Sequence, residues 1–173
     1  WQINYYSFWY LRAYILTLIS KSTDSQTSFG NGNVSTSAPL ITGGLKDKGA
    51  FYGYNDNSHQ VKCLWSEGIW GDLRDWTNGF TITPEGDIKS KNYAPYSFDN
   101  FTNYQTLETI SSNKTGYLKS AKITENGILG DDLSGSSSTY FCDNYYLYKP
   151  SDNNYFPSVG GSYSSGSASG LFD

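Results

Sequence analysis

Glu67-Gly68-Ile69-Trp70-Gly71-Asp72-Leu73-Arg74-Asp75-Trp76 is the stretch on which the reading of this chain turns. Two indoles flank a glycine-centred turn. Large aromatic side chains belong in cores or hinges, and a glycine beside one lets backbone pass close to the ring. The stretch therefore reads as a bend with Trp70 and Trp76 as core and hinge residues, and with Arg74 and Asp75 facing out. Trp65, just upstream in Val61-Lys62-Cys63-Leu64-Trp65, is expected in the core as well. Far downstream, Gly160 and Gly161 in Val159-Gly160-Gly161-Ser162-Tyr163 suggest a second tight bend or bulge, where a strand crosses beneath aromatic rings.

Outward from these bends, the chain has the size of a single domain: 173 residues are too few for two well-buried cores. With 37% hydrophobic, 17% aromatic and only 16% charged residues, it has material for a core and lacks the charge-rich signature of disorder. The 16 Tyr and 18 Gly, together with abundant Ser, Asn and Thr, favour short strands, turns and polar loops over a helical bundle. A net charge of −4 with no Lys/Arg run argues against nucleic acid, whose phosphates need clustered cations. A start at Trp1 and the absence of Met read as a piece of a longer protein. No apolar run approaches a membrane span, since Ser7, Arg12 and Thr17 interrupt the stretch from Tyr5 to Ile19, and no secretory signal features accompany it.

One helix is expected, from Asn4 to about Ile19, because Phe8, Leu11, Ile15 and Leu18, with Tyr14 and Ile19 beside them, mark one helical face. Turn signals follow at Gly30-Asn31-Gly32-Asn33. Strands are expected at Val61–Leu64, Phe80–Thr83 and around Tyr117–Ile123, and the Tyr/Asn/Thr-rich excursion from Asn92 to Asn113 reads as loops.

Familiar catalytic and metal constellations are missing. His59, the single histidine, sits among Asn57, Ser58 and Gln60 and reads as part of an exposed turn. In Gly166-Ser167-Ala168-Ser169-Gly170 the centre of what resembles a nucleophile elbow is Ala168 where serine is required. Asp131-Asp132 reads as solvated acid, and Asn55-Asp56-Asn57 as a turn, lacking the ligand pattern of a calcium loop. The sequons at Asn33, Asn100 and Asn113 are what a chain rich in Asn, Ser and Thr generates by chance. Cys63 and Cys142 have no CxxC or histidine companion; they stand as either a disulfide or two buried thiols. Neither cofactor nor metal is expected, and the chain is read as no enzyme.

The tail from about Ser134 to Gly170 is Ser/Gly-rich, yet it carries Tyr140, Tyr145, Tyr146, Tyr148, Tyr155 and Tyr163. Flexible linkers are poor in aromatics. A Tyr/Ser/Gly/Asn alphabet is that of binding loops, in which Tyr gives broad amphipathic contact at low entropic cost. The tail is read as a binding surface.

The ordered segments of the chain resemble the formylglycine-generating-enzyme type of C-type lectin fold. In that family a G-L/I-aromatic-x-x-G-N-V-W-E-W segment is followed near the C-terminus by R-G-G-S-W. Here Asp72 stands for Asn, Arg74 for the first Trp, Asp75 for Glu and Tyr163 for the last Trp. The branch found in phage tail proteins is closer, with its segments standing here as Gly44–Gly53, Val61–Gly71 and Val159–Phe172, and Asp24-Ser25-Gln26 fits it too. The resemblance implies one α+β, C-type lectin-like domain over residues 1–173, with short twisted antiparallel sheets, one N-terminal helix and many loops. Relatives continue beyond the last of these segments into a further strand, so either the end of the fold lies outside this sequence or the fold is incomplete.

The copper-holding cysteine pair of the enzymes is absent, as are the calcium-binding loops of the sugar-binding lectins. What the resemblance does imply is a receptor-binding or adhesin domain of a phage tail fibre, on the virion or otherwise extracellular at a cell surface. Its expected partner is a bacterial cell-surface protein or glycan, and its expected assembly a homotrimer. In several such variable proteins a diversity-generating retroelement mutates the C-terminal part of the gene. The ligand contacts implied for this chain are Tyr145, Tyr146, Tyr148, Asn153, Asn154, Tyr155, Tyr163, Ser164, Ser165, Ser167 and Ser169, on a scaffold of Trp65, Trp70, Gly71, Trp76, Gly160 and Gly161. The alternative is a structural virion protein that uses the fold for subunit contacts.

Overall fold

The computed structural model describes residues 4–173. A short strand β1 (Asn4–Tyr5) runs straight into the main helix α1 (Tyr6–Ser20), followed by a single turn α2 (Ser25–Phe29). Asp24 caps α2 by accepting the Thr27 N–H at 2.9 Å. The strands β2 (Phe51–Tyr52), β3 (Lys62–Cys63), β4 (Ser66–Glu67), β5 (Asp75–Asn78), β6 (Phe80–Ile82) and β7 (Asp87–Ser90) follow. After them come β8 (Gln105–Thr109), β9 (Lys114–Tyr117), β10 (Ser120–Thr124), β11 (Gly127–Asp132), β12 (Asn144–Leu147) and β13 (Ser158–Val159).

These elements make an α+β structure of one main helix and several short antiparallel sheets. β2-β3-β4 and β6-β7-β8 are three-stranded meanders, and β10-β11 and β9-β12 are pairs. The fifth sheet ties the two ends of the chain together: β5 lies between β1, which it pairs in parallel, and β13, which it pairs antiparallel. No helix among the described residues is long and apolar enough to cross a membrane.

Side chains from these elements form two hydrophobic clusters. Trp9, Ala13 and Leu16 of α1 pack with Val61, Cys63, Ile69, Trp70, Val159 and Leu171 in the first. In the second, Tyr6 joins Phe80, Ile82, Ile88, Ile110, Leu129 and Leu147. Burying an aliphatic side chain such as Leu16 or Ile88 contributes about 1.5–3 kcal/mol.

The helix is where expected, but the face marked by its apolar spacing is not the buried one. Tyr6, Trp9, Arg12, Ala13 and Leu16 point inward, while Phe8, Leu11, Ile15, Leu18 and Ile19 remain exposed. Both stripes repeat at three- and four-residue intervals, so periodicity alone does not choose between them. Tertiary contacts choose: Trp9 Nε1 donates to the Leu171 carbonyl at 3.1 Å, and Tyr6 hydroxyl donates to the Ile128 carbonyl at 2.7 Å.

The two glycine bends meet each other. Gly71 N–H donates to the Gly160 carbonyl at 2.7 Å, and Gly160 N–H donates to the Asp173 carbonyl at 3.0 Å. Gly71 sits at φ +69°, and a Cβ there would lie 2.7 Å from the Asn33 carbonyl oxygen, so no larger residue fits without displacement. Trp70 is fully buried beside it, its Nε1 donating to the Gly30 carbonyl at 3.1 Å.

Trp65 and Trp76 are corrections to the expected core, since both are largely exposed. Leu64 and Trp65 both have positive φ and form the two-residue tip of the β3–β4 hairpin, the backbone signature of a primed turn; a side chain at such a tip projects from the sheet. Trp76 lies on β5 next to the buried Thr77, and strand alternation sends it to the opposite face. Asp75, expected to face out, is half-buried.

Three element boundaries also differ. Only Lys62–Cys63 of the expected Val61–Leu64 strand is strand. The Tyr117–Ile123 run is broken at Leu118-Lys119, where Leu118 turns into the interior. The Asn92–Asn113 excursion contains β8, which completes the β6-β7-β8 sheet. Cys63 and Cys142 are buried free thiols, and burial pushes them up to about 12 and about 11 respectively. Asn33 of the first sequon is fully buried, out of reach of glycosylation in the folded chain.

Candidate ligand-binding cleft

Between the two clusters the interior does not close. A cavity of about 530 Å³ remains, with Tyr6, Trp9 and Ala13 of α1 on one wall and Phe80, Leu129 and Leu147 on another. The size falls within the range of small-molecule and side-chain pockets. Its lining draws on both clusters, to each of which α1 contributes side chains.

The mouth of the cleft is built by the tail. Along β12 the alternation of side chains sends Leu147 into the second cluster and leaves Tyr146 and, just beyond the strand, Tyr148 exposed. Both line the cleft, together with Tyr155, Phe156 and Pro157. Tyr155 is also exposed, yet its backbone is fixed: its N–H and carbonyl exchange 2.9 Å hydrogen bonds with Ile82. Tyr146 and Tyr155 are therefore held at one opening by paired backbone, with Tyr148 one residue past the end of β12, and all three rings are accessible. Tyr145 reaches the same cavity from within; burial pushes its phenol up to about 12, so it stays neutral.

Two charged residues line the cleft, Arg74 and Asp173. Arg74 is exposed, whereas Asp173 is half-buried and its Oδ2 is enclosed without a hydrogen-bond partner. Burial pushes the Asp173 carboxyl up to about 7, against a smaller downward pull from Arg74. Near neutral pH the cleft thus offers an acid that either donates or accepts, a guanidinium, three exposed phenols at its opening and an apolar interior. That set suits a ligand with an apolar face and a few polar groups at its rim, recognised by ring stacking and hydrogen bonding.

The expected contact residues divide between this cleft and other places. Tyr145, Tyr146, Tyr148 and Tyr155 converge on it. Asn153 is exposed and Asn154 half-buried, in the turn leading to Tyr155 and outside the cleft lining. Tyr163 is half-buried in a different neighbourhood, its N–H donating to the Asp72 carbonyl and its own carbonyl accepting the Thr36 N–H, both at 2.9 Å. Ser165 is spent on its own turn, bonding Ser162 Oγ at 2.9 Å and accepting the Ser162 N–H at 3.0 Å. Ser164 and Ser167 are exposed. Ser169 is a correction: it is fully buried, its carbonyl accepting from Gln26 Nε2, and it contacts nothing outside the fold.

Behind Tyr163 stands a buried polar knot that the sequence reading missed. Asp72 Oδ1 accepts from Asn33 Nδ2 at 2.8 Å and from Leu40 N–H at 2.6 Å, and its Oδ2 accepts from Gln60 Nε2 at 2.8 Å. All three side chains are nearly inaccessible. The substitution of Asp72 for the asparagine of the resembling pattern was the available signal. Asp143 was missed as well; it is fully buried, accepts the Phe172 N–H at 2.9 Å, and burial pushes its carboxyl far upward.

Other ionisable side chains are engaged outside the cleft lining. His59 Nδ1 pairs with Asp56 at 2.6 Å in an exposed turn, Glu67 accepts the Gly43 N–H at 2.6 Å, and Glu108 pairs with Lys114. Asp132 bonds Lys119 at 2.8 Å, which with the Ser134 contacts holds its carboxyl well below the usual range. Among the described residues, no group of three or more His, Cys, Asp or Glu side chains is placed to share a metal ion. No family profile, curated protein or solved structure matches the chain.

Proposed function

We propose that this chain is a non-enzymatic ligand-binding domain of the receptor-binding or adhesin kind, carried on a phage tail fibre or a comparable extracellular structure. Its ligand is a protein or glycan of the bacterial cell surface, bound through the tyrosine-rimmed cleft. The observation that carries the reading is the convergence of Tyr146, Tyr148 and Tyr155 on one opening, exposed despite their size, with Tyr146 fixed by strand pairing and Tyr155 by a bridge. Exposed aromatic clusters above a cavity are the usual anchors of interfaces, because they bury much area with few rotatable bonds to restrain. The lectin-like motifs and the Tyr/Ser/Asn alphabet of the tail support the same reading.

Replacing Tyr146, Tyr148 and Tyr155 together by alanine should abolish capture of host cells or of their envelope fractions. The far-ultraviolet spectrum and unfolding midpoint should stay close to those of the parent, because the three rings are exposed. Undiminished capture by the folded triple variant would overturn the reading.

A further inference from the structure

Inside the cleft, the polar atoms of the aromatic walls are already committed to backbone. The Tyr6 hydroxyl donates to the Ile128 carbonyl at 2.7 Å, Trp9 Nε1 donates to the Leu171 carbonyl at 3.1 Å, and the Tyr145 hydroxyl is hydrogen-bonded to the backbone of Gly130. Beside them stand Phe80, Leu129 and Leu147, which are buried and have no polar side-chain atom. Such walls favour a guest through dispersion and the release of water, and offer it few hydrogen bonds. The rim is the reverse. Arg74 and Asp173 line the same cleft, near enough for the guanidinium to pull on the carboxyl, yet among the described residues no ion pair joins them. Asp173 Oδ2 is enclosed without a hydrogen-bond partner.

We infer that the cleft is an anchor pocket for a polypeptide: one large apolar side chain of the ligand fills the interior, and the peptide group next to it lies between Arg74 and Asp173. This rests on the reading of the cleft as the ligand site and narrows its ligand from protein or glycan to protein. A peptide group carries one acceptor and one donor. Its carbonyl accepts from the Arg74 guanidinium, which can only donate, and its N–H donates to the Asp173 carboxylate, which can only accept. The unpaired charges of the rim are thus complementary to main chain.

The interior discriminates in the same direction. A phenylalanine or leucine side chain has no polar atom to strand there, and the cavity of about 530 Å³ has room for a phenyl ring. A pyranose carries hydroxyls around its whole edge. Each one taken inside would exchange water for walls whose polar atoms are already bonded, and a hydroxyl buried without a partner is costly. Tyr146, Tyr148 and Tyr155 at the opening supply the amphipathic collar that excludes water around such an anchor.

N-acetyl-L-phenylalaninamide reproduces the proposed anchor, a phenyl ring with a peptide group on either side. Titrated into the isotopically labelled chain, it should shift the methyl signals of Leu129 and Leu147 saturably, with a dissociation constant on the order of 1 mM, ordinary for a ligand of about fifteen non-hydrogen atoms. N-acetylglycinamide, which lacks the ring, should bind at least about tenfold more weakly, and methyl α-D-glucopyranoside should leave those signals unmoved. Arg74→Ala and Asp173→Ala should each weaken binding of the phenylalanine compound about 3- to 10-fold, with the rest of the spectrum unchanged because neither side chain is bonded within the fold. The adhesin reading is tested separately, by capture with the triple tyrosine variant: a glucoside bound at these methyls would leave that reading intact with a glycan as its ligand, and would overturn this inference. Equal binding of the phenylalanine and glycine compounds, no saturable shift at about twenty times the expected constant, or undiminished affinity in both variants would overturn it as well.

Discussion

The segment from Gln60 to Trp76 and the tail from Ser134 to Gly170 are similarly poor in regular structure, and they are held in opposite ways. The first is anchored by buried hydrogen bonds: Asp72 closes on Asn33, Gln60 and Leu40, and Gly71 is locked to Gly160. The tail is held mainly by backbone, through β12, the Tyr155–Ile82 bridge and β13, and several of its largest side chains remain in solvent. Buried polar networks impose one arrangement because each unmade bond is costly. Backbone pairing leaves the identity of the exposed tail side chains free, so those positions can change without changing the fold.

The sharpest way to break this comparison is to exchange roles among the tryptophans. Trp70→Ala should cost about 3–5 kcal/mol, as loss of a fully buried aromatic does, whereas Trp65→Ala and Trp76→Ala should each stay within about 0.5–1 kcal/mol, measured by denaturant titration. Equal losses at the three positions would mean that the hairpin tip and β5 are parts of the core. Next in size, Asp72→Ala should cost about 3 kcal/mol by stranding the buried Asn33 and Gln60 amides. Ser164→Ala and Ser167→Ala in the tail should be close to neutral in the same assay.

The smallest expected effect concerns pH at the cleft. Burial raises the folded-state carboxyl of Asp173 from 3.8 to about 7, so the folded chain binds this proton more tightly than the unfolded chain does. Its contribution to stability is full below about pH 4 and is lost as pH rises through about 7. Asp143, shifted the same way, adds to the trend, while Asp132 and Asp56, whose carboxyls are held low, act only at more acidic pH. The unfolding midpoint should therefore fall on going from about pH 5 to about pH 8, and Asp173→Asn should reduce the fall. An unchanged slope in that variant would place Asp173 in water and remove the acid from the cleft.

Some of this was legible in the residues alone. Composition favoured short strands and loops, and local spacing located α1, because helix and turn signals act over a few neighbouring residues. The pairing of a large indole with a glycine identified the Trp70–Gly71 bend, since a ring and a close-passing backbone leave room for little else. The aromatic content of the tail set it apart from a flexible linker, and Tyr146, Tyr148 and Tyr155 of it line one cavity.

What only the tertiary structure decided are the choices between equivalent local patterns. Two apolar stripes wind around α1, and the partners supplied by Ile128 and Leu171, more than a hundred residues away, settle which one is buried. Trp65 and Trp76 are as hydrophobic as Trp70, but a primed turn and the two-residue period of β5 turn them outward. The cleft, with Arg74 and Asp173 on its wall, is made by strands and loops distant in sequence. Side-chain preference is a local property of the chain; burial is a property of everything packed around it, and no window of sequence contains that.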